Sequence, residues 1–133
     1  MKLKLLLYCL IGLLVASCSE DNEGNTLNGS WKLTNATATD GPNVEYQKGE
    51  VLWTFNEGSK TLRVKNNVKS LGPENIFSGL ATGNYNYSII TEGNKSYLYV
   101  EGAEQGAFAN TGENLVISTG AKGNNNITKI FRR

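Results

Sequence analysis

The stretch LNGSWKLTN, residues 27–35, decides the fold. Trp31 and Leu33 fall on one side of an extended chain, while Ser30, Lys32 and Thr34 fall on the other. Successive side chains of a strand point to opposite faces, so an apolar residue at every second position marks a strand with one buried side.

The same period recurs along the chain. VLWTF (51–55) sets Val51, Trp53 and Phe55 together, and TLRVK (61–65) sets Leu62 and Val64 opposite Arg63 and Lys65. NYNYSII (84–90) aligns Tyr85, Tyr87 and Ile89 against Asn86 and Ser88. SYLYV (96–100) aligns Tyr97 with Tyr99, and LVIS (115–118) aligns Leu115 with Ile117. A weaker strand is expected at about residues 105–110, and ITKIFRR (127–133) is a last strand with apolar groups on both faces. Between the runs lie NEGS (56–59), EGN (92–94), NTGE (110–113) and KGNNN (122–126). Gly and Asn tolerate the positive φ that tight turns between twisted strands require. Residues 66–81 are the exception, a longer connection with Pro73 and a short helical turn expected at PENIFSGL (73–80).

About eight short strands, mostly joined by hairpins, fit an all-β up-and-down antiparallel barrel or a meander sandwich. The barrel is the expectation, because closure removes the free sheet edges that template aggregation.

Outward from this domain, the N-terminus reads as a targeting segment. Lys2 and Lys4 precede an apolar run, Leu5 to Val15, that is too short to span a bilayer comfortably. Val15-Ala16-Ser17 then lead into Cys18, and this resembles a bacterial lipobox, which implies cleavage before Cys18 and its acylation. The chain has two cysteines, and the other, Cys9, lies in the segment to be removed, so no internal disulfide is expected. Two or three acyl chains anchor stably, at about 0.8 kcal/mol per buried methylene. The following SEDNEGNT (19–26) has the composition of a hydrated spacer and resembles the acidic surface-export tag of Bacteroidetes lipoproteins. The expected organisation is signal peptide 1–17, lipidated Cys18 with a flexible tether to residue 27, and a barrel domain over 28–133.

Gly29-Ser30-Trp31 matches the G-x-W at the first strand of lipocalins and related calycins, and Arg132 and Arg133 stand at the end of the last strand. The chain thus resembles the small lipocalin-like lipoproteins of Bacteroidetes. The resemblance implies that Trp31 plugs the closed end of the barrel with an Arg packed over its ring, Gly29 and one of the two terminal arginines completing the closure. Strand alternation sends Arg132 and Arg133 to opposite faces. Arg132 is the favoured cover, because it shares a face with Ile130, whereas Arg133 shares one with Phe131 and Lys129.

Chemistry bounds the function. There is no histidine, and the one cysteine expected to remain is acylated, so neither a Ser-His nor a Cys-His pair, nor a histidine-based metal site, can be assembled. No enzyme, cofactor or metal is expected. Of 13 Lys and Arg, two lie in the leader, leaving eleven against 12 Asp and Glu, a balance that argues against nucleic acid as partner. What remains is a concentration of aromatics: Trp53, Phe55, Tyr85, Tyr87, Tyr97 and Tyr99. They read either as core packing or as the lining of a pocket for a small apolar or amphipathic ligand, to which tyrosine offers an apolar ring with a polar tip. The expected function is a binding module tethered to the outer membrane and facing outward. The rival is a filled barrel that serves as an accessory subunit of a surface complex.

Overall fold

The computed structural model describes residues 26–119 and 126–133. The strands are β1 (Gly29–Ala38), β2 (Asn43–Glu45), β3 (Val51–Asn56), β4 (Thr61–Asn66), β5 (Gly83–Glu92), β6 (Lys95–Val100), β7 (Ala103–Asn110), β8 (Asn114–Thr119) and β9 (Ile127–Arg132). One short helix, α1 (Pro73–Phe77), interrupts the β4–β5 connection. The leader, Cys18 and most of the tether lie outside the described residues, as does most of the turn expected at 122–126.

All strands pair antiparallel in the order β2-β1-β3-β4-β5-β6-β7-β8-β9, and β1 also pairs with β9. The result is a closed, eight-stranded, lipocalin-like barrel with β2 as an extra strand. β3 accompanies β1 from Gly29 to Lys32, and β2 takes the same edge from Asn35 to Thr37. Its three residues are too few to register as an alternating run.

The first strand keeps its apolar face inward by a bulge. Leu33 pairs with Phe131 and Asn35 with Ile130, leaving Thr34 extra. The Thr34 hydroxyl donates to the Ile130 carbonyl at 2.9 Å. The extra residue reverses the phase, so that after Trp31 and Leu33 the next buried residue is Ala36 instead of Asn35. A second bulge lies where Leu98 pairs with Gly106 and Tyr99 with Glu104. It starts the seventh strand two residues earlier than the expected 105.

The interior is filled from all sides. Trp31, Leu33, Val51, Trp53, Phe55, Leu62, Val64, Leu98, Val100, Leu115, Ile117 and Phe131 are buried. On β6 the inward residues are Leu98 and Val100, so Tyr97 and Tyr99 occupy the other face, half-buried. This corrects the expected lining. Alternation divides a strand into two faces without saying which is inner, and here the aliphatic pair takes the core. Likewise Ile89 and Ile90 at the end of β5 are both exposed.

The two ends of the barrel differ. The N-terminus of β1, the β3–β4, β5–β6 and β7–β8 turns and the C-terminus gather at one end. The β4–β5 connection lies at the other, where Val68, Phe77 and Leu80 pack against the core as a lid.

Candidate functional site

At the closed end the Trp31 indole is wholly buried and its Nε1 donates to the Leu27 carbonyl at 2.8 Å. The guanidinium carbon of Arg133 lies 4.2 Å from the Trp31 ring centroid, a cation–π contact. Arg132 is exposed and does not cover the ring. The favoured assignment therefore reverses: β9 buries Lys129 and Phe131, and Arg133 continues that inward face. The lysine on that face disguised it as the solvent side.

Arg133 also donates through Nε to the Gly112 carbonyl at 2.7 Å, through Nη1 to the Asn28 carbonyl at 2.8 Å, and through Nη2 to the Thr26 carbonyl. A Cβ at Gly29, which has φ +109°, would sit 3.2 Å from Arg133 Nη1. Across the rim, Glu57 accepts from the Leu27 amide at 2.6 Å. These contacts hold the segment that leads into β1 against the end of β9.

The aromatics expected to line a pocket fall into three groups. Trp53, Phe55 and Tyr87 are buried and stack on one another and on Phe131: Trp53 lies 4.8 Å from Phe131 and 6.2 Å from Phe55, and Phe55 meets Tyr87 edge-on at 5.1 Å. Tyr85 is partly buried, its hydroxyl donating to the Ala81 carbonyl at 2.7 Å. Tyr97 and Tyr99 stand outside the barrel wall. The rings are thus core first, packed at ordinary aromatic separations.

Two polar atoms in this core have no partner among the described residues: Trp53 Nε1 and the Tyr87 hydroxyl. Burial, with Glu57 adding to it, raises the Tyr87 pKa. Deeper toward the lid lies Lys129, 7% exposed, whose pKa is lowered by burial alone. Among the described residues no carboxylate opposes that effect.

The lid is fastened above Lys129. Asn66 Nδ2 donates to Ser78 Oγ at 2.9 Å and to the Leu80 carbonyl at 3.1 Å, and Ser78 is fully buried. The Tyr46 hydroxyl donates to the Glu74 carbonyl at 2.7 Å; burial, then Glu74 and Glu50, push its pKa up to about 12. Between these fastenings Gly79 adopts φ +88°, and a Cβ there would meet Lys129 Nζ at 2.8 Å and Trp53 Cζ2 at 3.8 Å. The absence of a side chain lets the lid backbone close directly over both groups. Sequence reasoning passed over Lys129, because a lysine within an ambiguous strand reads as solvated.

Outside the barrel, a groove of about 610 Å³ runs between the β2–β3 and β4–β5 connections, with Glu45, Lys48, Glu50, Lys69 and Glu74 on its walls. Its charges are mixed. Among the described residues no cluster of His, Cys, Asp or Glu could hold a metal ion, and no helix is long and apolar enough to cross a membrane.

No family model, no curated protein and no solved structure matches this chain.

Proposed function

We propose that the protein is a lipocalin-like lipoprotein of the outer membrane, anchored through Cys18 and facing outward, whose filled barrel serves as a rigid interaction module in a surface complex. The observation that carries the reading is the packing of Trp53, Phe55 and Tyr87: the rings that would line a ligand cavity fill the space themselves. Function then rests with the outer wall and loops, as expected of a scaffold whose specificity lies in grafted surfaces.

The test has two parts. Cys18→Ala should release the protein from the membrane fraction; retention equal to wild type refutes the anchor. Cross-linking on intact cells, followed by identification of the adduct, should capture a discrete protein partner. Its absence, together with a co-purified small molecule in native mass spectrometry, refutes the filled-module reading.

One observation favours the second reading, a binding module for a small amphipathic ligand. Trp53 Nε1 is a buried donor with no acceptor among the described residues, and Lys129 is buried beside it at the lid end. That reading is confined to the lid end of the barrel, since the remaining aromatics pack on one another or face out.

A further inference from the structure

The four neighbouring strands β9, β1, β3 and β4 contain five cations and no acid. Lys129 is buried, whereas Lys32, Arg63, Lys65 and Arg132 occupy the outer face, Lys32 half-buried and the other three exposed. The ladder register arranges them. Arg132 stands directly opposite Lys32, Lys32 opposite Leu52, and Leu52 opposite Lys65, one row across all four strands. Arg63 lies on the same face, two residues from Lys65. Like charges directly opposite each other destabilise a sheet, so the pairing of Arg132 with Lys32 works against the fold. Among the described residues none of the four forms an ion pair. Glu45 and Glu113 stand at the margins, each sharing a shallow hollow with Arg132. A further hollow of about 350 Å³ joins Lys32, Arg132 and Lys48 without a carboxylate side chain.

We propose that this wall docks an acidic, extended segment of a partner protein. The inference rests on the interaction-module reading and gives that module its binding face and its partner's charge. Strands lie about 4.8 Å apart, so Lys32 and Lys65, two strands removed, are about 10 Å apart, the advance of an extended chain over three residues. Half-buried Leu52 lies between them. The complement is a segment laid across the strands, with carboxylates over the Arg132 and Lys32 pair and over Lys65, and an apolar side chain on Leu52. Direction favours a protein over the membrane. The chain that leads in from Cys18 joins the barrel at Thr26, at the closed end. Turns and strand ends there carry Glu57, Lys60, Glu92, Lys95 and Glu113, both signs together. The cationic rows instead face sideways from the barrel wall, toward a neighbour that stands beside it.

The test places photo-reactive benzoylphenylalanine in the full chain on intact cells, either at Ser30, exposed on the cationic face, or at Ala109, exposed on the outer face of β7. Asn84, exposed beside Arg63, takes the place of Ser30 if that variant loses the wild-type circular dichroism. The expected result is a protein adduct from the cationic face alone, whose cross-linked peptide carries carboxylates about three residues apart. Lys65→Glu combined with Arg132→Glu should cut the yield at least tenfold at equal surface abundance, while Lys95→Glu, on β6, leaves it unchanged. An adduct from Ala109 alone, a cross-linked peptide without carboxylates, or an undiminished yield in the charge-reversed variant overturns the acidic partner and leaves the interaction module in place. An adduct with lipid or polysaccharide at the cationic face overturns it in favour of that polyanion. If neither face yields a protein adduct, the docking wall and the interaction-module reading fall together.

Discussion

Arg133 caps Trp31 and, with the same guanidinium, ties together three backbone carbonyls, those of Thr26, Asn28 and Gly112. A planar fork suits this task, and an ammonium does not. Arg133→Ala is therefore expected to cost about 2 kcal/mol, since hydrogen bonds from a charged group and a cation–π contact each contribute on that order. Arg133→Lys should recover only part of it, and Arg132→Ala should change stability by under about 0.5 kcal/mol. Trp31→Ala should cost about 3–5 kcal/mol. Urea unfolding of the four variants checks the order.

Gly106 has no room for a side chain. Its φ is +128°, and a Cβ would sit 2.3 Å from the Ser118 carbonyl oxygen on the adjoining strand. Because that neighbour is backbone, the β7–β8 ladder itself would have to part. Gly106→Ala should cost about 3 kcal/mol, combining strain at a special φ with lost pairing, and hydrogen exchange should show the loss centred on β7 and β8.

Lys129→Met should stabilise the protein at neutral pH by about 1–3 kcal/mol, the cost of a buried group left unpaired. The folded pKa of Lys129 lies below its ordinary 10.5. Below the folded value both folded and unfolded chains carry the charge, and the burial penalty is fully present. As pH rises from that value toward 10.5, the unfolded chain binds more protons and wild-type stability rises. Tyr46 and Tyr87 act in the opposite direction above their ordinary 10.0, because their raised values make the unfolded chain lose protons first. They are present in both proteins, so the difference between variant and wild type isolates the lysine. The advantage of Lys129→Met should shrink as pH rises, and denaturant titrations from pH 7 upward measure it.

Tyr87→Phe removes a buried hydroxyl without a partner among the described residues and keeps both ring contacts, the edge-on approach to Phe55 at 5.1 Å and Lys60 at 5.8 Å above the ring. It should leave stability unchanged or raise it by about 1 kcal/mol. A clear loss in thermal unfolding would show that the hydroxyl has a partner, such as a buried water.

The barrel was legible because hydrophobic alternation is a property of neighbouring residues, and Trp31, Trp53, Phe55, Leu62, Val64, Leu115 and Ile117 declare it locally. Three features were not. The direction of β6 faces depends on what the neighbouring strands present, so Tyr97 and Tyr99 could not be told from Leu98 and Val100. The arginine over Trp31 was misassigned because Lys129 gave the inner face of β9 a polar look. The lid end escaped notice because the burial of Lys129 is a matter of three-dimensional company, namely the closure of Gly79 over Lys129 and Trp53.

The barrel seam between β1 and β9 also fixes how the molecule answers to force. The ladder bonds of β1 lie across its axis, to β3 and β2 on one side and to β9 on the other. A pull applied at Thr26 in the direction of that axis loads many bonds in shear at once instead of peeling them singly. The Arg133 clasp on Thr26 and Asn28 stands at the point of entry and must slip first. Under tension applied at Thr26, the β1 seam resists unravelling from that side.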